Sequence, residues 1–398
     1  MFLPSGKTHG DLNAAGTLMH DAWAAVAAAP TGALKQLAEL TYAALIYETA
    51  WHEEDNGATW QYQGTSYGNP WPSPDGTWDG VNTWALRLQN HVRSAGVLAA
   101  AAQWAQNART GLLGPQTVVQ AVDLDQDGQN EYVLYNNRVY VCFERWGGRL
   151  VHGFALDEIS GDAIQVLGVP AANPSEPGEE ERVGTAANRC STFKDMNATY
   201  VDADYAVATG SNYLQLMSPD GKISKRIELP AGSATLKATY TNTTGGNHYV
   251  RVGASPNVAD LLGSGRDHLS TASTSSYYQV RNSQGGLVRV YPGTASRNAS
   301  PADAGYENRN LALVEQIEVY GGAAFAFDVQ IGTGMFDADA DGDVDSSDLR
   351  GFGRCMGGPG AASGGSCSTP LRLLDWDADG DVDLADFARC QQSGTGAL

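Results

Sequence analysis

Residues 1–112 carry apolar side chains at helical spacing. The alanine-rich segment DLNAAGTLMHDAWAAVAAA ends at Pro30, and Thr31 is expected to cap a second helix. A third helix is expected between Asp79 and Gly111. The segment before it is rich in Trp, Gly and Pro and is expected to be a loop. Loops of this length are usually functional or disordered. The pattern therefore predicts an N-terminal helical bundle with one long aromatic loop.

From Thr117 onward the pattern changes to short segments that alternate apolar and polar residues or run apolar. Examples are EYVLYNNRVYVCFE, ISKRIELP and AFAFDVQI, with Gly, Pro, Asn and Asp between the segments. Many strands without intervening helices are typical of layered all-β structures. Residues 113–334 are therefore predicted to form one large antiparallel β-sandwich that folds as its own domain.

Two copies of one acidic pattern follow, DADADGDVDSSD from Asp337 and DWDADGDVDLAD from Asp375. Each has acids at positions 1, 3, 5, 9 and 12 and glycine at position 6, as in twelve-residue calcium loops. Position 7 would offer its backbone carbonyl. The predicted ligands are Asp337, Asp339, Asp341, Asp343, Asp345 and Asp348 in the first loop, and Asp375, Asp377, Asp379, Asp381, Asp383 and Asp386 in the second.

Residues 335–398 resemble a dockerin module. The resemblance rests on an aspartate at position 12, a helix pattern after each loop (DLRGFGRC and DFARC), and two repeats that close the chain. It implies an EF-hand-like pair with two Ca²⁺ ions, a cohesin-like scaffold protein as partner, and a role in polysaccharide degradation outside the cell. Positions 10 and 11 differ between the copies, so two equivalent binding faces are not implied.

The formal net charge of −20 is opposite to that of nucleic-acid-binding proteins. The tail from Asp337 holds twelve Asp and four Arg, and so contributes −8 of this charge. No stretch of the sequence is long and apolar enough for a membrane span. The sequence therefore predicts neither nucleic acid nor a membrane span among its partners, and bound calcium would neutralise part of the charge.

The chain has five cysteines. Cys355, Cys367 and Cys390 lie in the tail, where a disulfide would support a module with little core. Cys142 and Cys190 lie in the middle region, and the sequence leaves the connectivity open. No signal-peptide pattern opens the chain, whereas dockerins act outside the cytoplasm. We therefore expect an extracellular or cell-surface protein whose start is truncated.

A third acidic motif, DLDQDGQNE at residues 123–131, opens the predicted sandwich. Asp123, Asp125, Asp127 and Glu131 fall at positions 1, 3, 5 and 9 of a calcium-loop spacing. One structural calcium ion between two strands is one interpretation of this motif. A plain acidic β-turn is the other, and the sequence leaves both open.

A further cluster combines acids with aromatic residues at the end of the second predicted helix. Carboxylates transfer protons in sugar chemistry and aromatic rings stack on sugar faces, so these residues are candidates for substrate contact. The candidates are Glu48, Trp51, His52 and Glu53, with Trp60 and Trp71 in the aromatic loop. The alternative is a polar helix end beside buried tryptophans.

The segments ETAWHEE (48–54), QNHVRSAGVLAAAAQW (89–104) and DLDQDGQNEYVLYNNRVYVCFERWGGRL (123–150) resemble part of glycoside hydrolase family 57-type amylolytic enzymes. In that family a barrel is followed by a helical bundle and, in some members, a galactose-mutarotase-like sandwich. The resemblance, over residues 11–333, implies this sandwich and an α-glucan as substrate. The catalytic acids of the family lie on barrel strands that have no counterpart here, so no catalytic residue is assigned.

These expectations describe a multidomain α+β protein: helical bundle (1–112), β-sandwich (113–334) and dockerin-like module (335–398). The leading functional hypothesis is the C-terminal part of a secreted, α-glucan-active glycoside hydrolase anchored by its dockerin. The alternative is a non-catalytic polysaccharide- or scaffold-binding protein. A third possibility is a sugar epimerase, for which His152, His248 and His268 are available.

Overall fold

The computed structural model describes most of the helical and sandwich regions and parts of the tail. The described residues are 14–49, 60–62, 65–67, 83–126, 128–156, 163–168, 192–197, 199–201, 203–254, 269–273, 275–282, 286–297, 302–303, 315–333, 346–358, 374 and 381–392.

Three helices lie in the N-terminal region: α1 (Leu18–Ala28), α2 (Ala33–Thr49) and α3 (Thr83–Arg109). The Thr17 side chain caps α1 by accepting a hydrogen bond from the His20 N–H (3.3 Å). Helix α2 begins two residues after Thr31, the predicted cap.

A short hairpin, β1 (Trp60–Tyr62) and β2 (Thr65–Tyr67), lies in the segment predicted to be a loop. Its sequences, WQY and TSY, are made largely of residues that favour strands.

A long series of strands follows, and all of the pairings are antiparallel. The strands are β3 (Val118–Val122), β4 (Glu131–Tyr135), β5 (Val139–Glu144), β6 (Arg149–Leu156), β7 (Ala163–Leu167), β8 (Thr192–Asp195), β9 (Ala206–Thr209), β10 (Tyr213–Met217), β11 (Ile223–Glu228), β12 (Thr235–Asn242), β13 (His248–Ala254), β14 (Leu269–Ser273), β15 (Tyr278–Asn282), β16 (Gly286–Tyr291), β17 (Ser296–Arg297), β18 (Ala302–Asp303), β19 (Glu315–Gly321) and β20 (Ala324–Thr333).

The strands form two sheets. A ten-stranded sheet has the order β17-β19-β13-β8-β6-β5-β4-β3, with β18 on β19 and β7 on β6. An eight-stranded sheet has the order β14-β15-β16-β20-β12-β11-β10-β9. The predicted antiparallel sandwich is therefore present, and most of the described residues after α3 belong to it.

The ten-stranded sheet is covered on both faces around β5. Val141 and Phe143 point into the apolar core between the two sheets, whereas Tyr140 and Cys142 point into a second core under the helices. The side chains alternate between faces because successive strand residues point to opposite sides. All six residues of β5 are buried as a result.

The three helices form a layer on the outer face of this sheet. Val26 of α1, Leu37 of α2 and Leu98 of α3 share one apolar cluster with Val151 and Phe154 of β6. Trp104 of α3 also donates an indole N–H to a backbone carbonyl of the β4–β5 turn, at 2.7 Å. The core under the helices therefore crosses the predicted domain boundary at residue 112.

The described part of the tail contains two helices, α4 (Ser346–Cys355) and α5 (Leu384–Gln392). They share a small apolar cluster to which Phe352, Val382 and Cys390 belong. Cys355 is in a disulfide, whereas Cys390, like Cys142 in the sheet, is a buried thiol. Among the described residues, no helix combines the length and apolarity that crossing a membrane requires.

Candidate functional site

Three carboxylates of the second calcium-loop repeat lie together at the start of α5. Oxygen atoms of Asp381, Asp383 and Asp386 all lie within 4.8 Å of one another. The Asp383 N–H donates to Asp386 Oδ2 (2.8 Å), and the Ala385 N–H donates to Asp383 Oδ1 (2.7 Å). The positive end of α5 also favours negative charge at this place. Asp381 was predicted to offer its backbone carbonyl, but its side chain is part of this carboxylate group.

The two repeats contact each other through buried residues. Asp348, at position 12 of the first loop, is fully buried, and Asp386, its counterpart in the second, is 1% exposed. Burial and the nearby Asp348 carboxylate raise the pKa of Cys390 in α5 to about 11. Val382, at position 8, is buried in the apolar cluster of the tail. The last acid of the first loop therefore lies beside the second helix.

The other predicted ligands of the tail fall outside the described residues. They are Asp337, Asp339, Asp341, Asp343 and Asp345 of the first loop, and Asp375, Asp377 and Asp379 of the second.

A second group of acids lies in the turn between β3 and β4. Oxygens of Asp123, Asp125 and Glu131 lie within 4.8 Å of one another, and Asp125 and Glu131 are buried. Glu131 Oε2 accepts the N–H groups of Leu124 (2.5 Å) and Asp125 (3.2 Å). Asp127, the remaining predicted ligand, lies outside the described residues.

Both acid groups suit a hard divalent cation. Their donors are carboxylate oxygens, the ligands that Ca²⁺ prefers, and further oxygens would come from backbone or water. Three carboxylates so close together repel one another unless a cation or protons neutralise them. The residues present therefore fit calcium.

The turn that holds Asp123 and Asp125 lies directly on helix α3. At Gly96 of α3, a Cβ atom would collide with the carbonyl oxygen of Leu124. Glycine lets the helix backbone reach the turn at this point. The second acid group is thus in contact with the helical layer.

The sugar-contact candidates lie largely outside the described part of the chain. The backbone of Glu48 belongs to α2, and Trp60 lies on β1 opposite Tyr67. Trp51, His52, Glu53 and Trp71 fall outside the described residues.

The histidines considered for epimerase chemistry do not form a site together. His152 stacks on Phe154 on the helix-covered face of the ten-stranded sheet, and its Nδ1 lies 3.0 Å from Gln165 Nε2. His248 points into the core between the sheets, where its ring lies beside Tyr240. The pair lies on opposite faces of one sheet and cannot act on one sugar. His268 is outside the described residues.

The sequence-based predictions missed a buried polar cluster between the two sheets. Asp195 Oδ2 lies 2.7 Å from Lys225 Nζ and accepts the Tyr205 hydroxyl at 2.5 Å. Asp195 Oδ1 lies 2.8 Å from His248 Nε2. The available signal was the strand ISKRIE, in which Lys225 alternates in phase with Ile223 and Ile227, both in the core.

Burial and pairing compete in setting the charges of this cluster. Burial alone would raise the pKa of Asp195, but Lys225 and His248 outweigh it, and the pKa of this carboxyl is lowered. Burial lowers the pKa of Lys225, against the opposing pull of Asp195. The pKa of Tyr205 is raised far above its usual range, mainly by burial, so its hydroxyl keeps its proton.

Comparisons with known proteins give distant structural similarities. No protein-family model matches the chain, and no curated protein matches it. The solved structures that match include 4-alpha-glucanotransferase from Thermococcus litoralis, with 14% identity and a TM-score of 0.35, covering 61% of this chain and 42% of that chain. The chain thus spans less than half of the glucanotransferase.

A putative mutarotase (YeaD) from Salmonella typhimurium matches with 9% identity and a TM-score of 0.33, covering 57% of this chain and 99% of that chain. The periplasmic domain of Thermotoga maritima YidC matches with 11% identity and a TM-score of 0.31, covering 55% and 88%. These scores are too low to assign an activity, so the function has to be inferred from the chain's own residues.

Proposed function

We propose that this chain is the C-terminal part of a secreted, carbohydrate-active protein of the α-glucan glycoside hydrolase type. In this proposal the mutarotase-like sandwich carries the carbohydrate-related role. The tail is a calcium-loaded dockerin-like module that anchors the protein to a cohesin-like scaffold, outside the cell or on its surface.

The observation that carries the proposal is the paired acidic loop of the tail. The carboxylates of Asp381, Asp383 and Asp386 lie together at the start of α5, and the same spacing recurs in the first loop. The two helices share one small apolar cluster, so the described parts of the two repeats have their core in common. A module with so little core gains most from bound metal, because the free energy of metal binding adds to the free energy of folding.

Calcium binding by the full-length, chelator-stripped protein tests this proposal. Isothermal titration calorimetry should show calcium uptake that Asp383→Ala together with Asp386→Ala reduces, with a parallel loss of the calcium-induced gain in helical circular dichroism. Asp220→Ala, which removes an acid on the surface of the sandwich, is the matched control and should titrate like the wild type.

Calcium binding by the turn between β3 and β4 is measured separately, with the variant Asp125→Ala. Loss of one calcium ion in this variant, with the tail still responding, would assign a third ion to the sandwich. A wild-type protein that takes up no calcium, and whose helical signal does not change, would contradict the dockerin-like assignment.

Glucan binding and turnover test the carbohydrate-related part of the proposal. We expect this chain to bind α-glucan without hydrolysing it. Hydrolysis needs two carboxyl groups roughly 5 to 10 Å apart on either side of the scissile bond, whereas the candidate acids from Glu48 to Asp55 are close neighbours in the sequence. Affinity electrophoresis with soluble starch measures binding, and reducing-sugar release measures turnover. Turnover that Glu48→Gln or Glu53→Gln abolishes would show a complete active site.

The non-catalytic alternative predicts the same absence of turnover for a longer natural protein as well. The discriminating measurement is therefore starch hydrolysis by the product of the complete coding sequence. Activity there, with none in this chain, supports the glycoside hydrolase. Inactivity in both forms, with starch binding retained, supports the polysaccharide-binding protein.

A further inference from the structure

A lysine and an aspartate lie in contact at the centre of the β-sandwich. Lys225 is on β11 of the eight-stranded sheet and Asp195 is on β8 of the ten-stranded sheet. Nζ lies 2.7 Å from Oδ2, and both side chains are 0% exposed. We propose that an isopeptide bond forms between Lys225 Nζ and Asp195 Cγ after folding and joins the two sheets covalently. This inference concerns a different site from the calcium loops and does not depend on them.

The low polarity of the surroundings favours the neutral forms that react. Tyr240 and Phe193 are fully buried around the pair, and the Tyr205 ring lies 4.6 Å from Nζ. Removing an ion pair from water costs free energy that mutual attraction repays only in part. Proton transfer from Lys225 to Asp195 yields a neutral amine and a neutral carboxylic acid, which carry less of that cost.

The groups around the pair shift its pKa values in opposing directions. Burial lowers the pKa of Lys225, as does the fully buried Arg149 to a smaller extent, while Asp195 opposes both. Lys225 and His248 lower the pKa of Asp195. Proton transfer is therefore the uphill step. The released water passes to bulk solvent, and hydrolysis of the amide would need a water molecule to return to Cγ of Asp195, whose side chain is 0% exposed.

The backbone around Nζ orients the amine. Carbonyl oxygens of Gly147, Gly148 and Phe193 lie 2.7, 2.9 and 3.0 Å from Nζ. Gly147 and Gly148 have φ of +69° and +53°, a conformation that brings both turn carbonyls to the lysine. A neutral amine has two hydrogens to donate to these carbonyls. Its lone pair is then left for the remaining neighbour, the carboxyl group of Asp195.

The carboxyl group is held by two donors that polarise it. The Tyr205 hydroxyl donates to Oδ2, and His248 Nε2 lies 2.8 Å from Oδ1, where its N–H donates in the matching tautomer. Attack of Nζ on Cγ forms the C–N bond, and a proton from Nζ passes to Oδ2. Oδ2 then leaves as water and Oδ1 remains as the amide carbonyl. One amine and one carboxylic acid give one amide and one water, with no oxidant or co-reactant.

The surface supplies a matched pair of the same residue types. Lys222 Nζ lies 3.7 Å from Asp220 Oδ2, and these side chains are 55% and 35% exposed. Water solvates both charges there, so this pair stays ionic. It serves as the control for the buried pair.

Cyanogen bromide cleavage of the reduced, full-length protein tests the proposal. Cleavage after Met196 and Met217 releases residues 197–217, the stretch that connects Asp195 to Lys225 along the chain. The fragments 20–196 and 218–335 should then remain joined, with a mass lower by one water than the sum of the two. Tandem mass spectrometry should place the link at Lys225 and Asp195. The double variant Asp220→Ala, Lys222→Ala should give the same joined product.

Lys225→Arg should yield two separate fragments, because a guanidinium does not attack a carboxyl group and keeps the positive charge. The wild-type result decides alone if this variant does not fold. Separate wild-type fragments would reduce the contact to an ion pair and overturn the proposal. A link at any other pair of residues would overturn it as well. An intact-mass loss of one water is not sufficient, since Asp–Gly sequences such as Asp220–Gly221 lose water by cyclising.

Discussion

Cys390 shows how the environment of one residue sets its reactivity. Its thiol is fully buried against Asp348, and its pKa is raised to about 11. The thiolate is the nucleophile in alkylation, so a raised pKa and burial both slow the reaction. Because the pKa is raised in the folded state, this group contributes stability that is present below its unfolded value of about 8.5 and is lost as pH rises towards the folded value.

We therefore expect Cys390 to resist iodoacetamide at pH 8 in the calcium-loaded protein and to react when the tail unfolds. Labelling should also increase between about pH 9 and 11, as the thiol ionises. Peptide mapping by mass spectrometry separates Cys390 from Cys142, the buried thiol of the sandwich. Rapid labelling of native Cys390 at pH 8 would contradict the position of its side chain in the tail cluster.

The sequence predicted contacts between residues of one loop better than contacts between residues that lie far apart in the sequence. Asp123, Asp125 and Glu131 lie in one short segment, as do Asp381, Asp383 and Asp386. Their spacing in the sequence was therefore enough to group them, and in the structure the members of each group lie close together. Asp195 and Lys225 lie on different sheets, and no local spacing reports that contact. The in-phase position of Lys225 among isoleucines indicated a buried charge but not its partner.

At the scale of elements, two helical glycines should respond to alanine in opposite ways. Gly96 of α3 lies against the Leu124 carbonyl, which a Cβ would overlap, whereas Gly353 of α4 has open space. We expect Gly96→Ala to destabilise the protein by about 1–3 kcal/mol through overpacking. Gly353→Ala should stabilise α4 by up to about 1 kcal/mol, because alanine favours helix over glycine. Denaturant titration followed by circular dichroism measures both.

A neutral or stabilising Gly96→Ala would mean that the turn with Asp123 and Asp125 does not lie against α3. A calcium titration of the same variant adds a second readout. If the turn is displaced, its calcium affinity should fall while the response of the tail stays unchanged.

Except for the β1–β2 hairpin, the types of the described elements followed from the sequence, whereas the elements that they pack against did not. The strands around EYVLYNNRVYVCFE were predicted because they run apolar between turn residues. The three N-terminal helices were predicted to form a bundle, and in the structure they also pack on Val151 and Phe154 of the sheet. An apolar stripe shows that a helix is covered, and it does not show whether another helix or a sheet covers it.

At the scale of the whole molecule, the helices and the sandwich share an apolar core. A fragment of residues 113–333 would expose Tyr140, Val151 and Phe154 to water. Apolar patches of this kind promote association. We expect this fragment to self-associate, whereas residues 1–333 should stay monomeric. Size-exclusion chromatography with light scattering measures both. A monomeric 113–333 fragment with a cooperative melt would support residue 112 as a domain boundary.

Because β5 has an apolar core on each side, all six of its residues are buried. The edge strand β9 is different, since three of its four residues are exposed. Amide hydrogens exchange with solvent when their region opens, and regions with few buried contacts open most readily. Deuterium should therefore enter β9 and β10 first and β5 last. The slowest amide exchange of the described sandwich is then expected in the middle of the ten-stranded sheet, and its rate reports the opening of the sandwich as a whole.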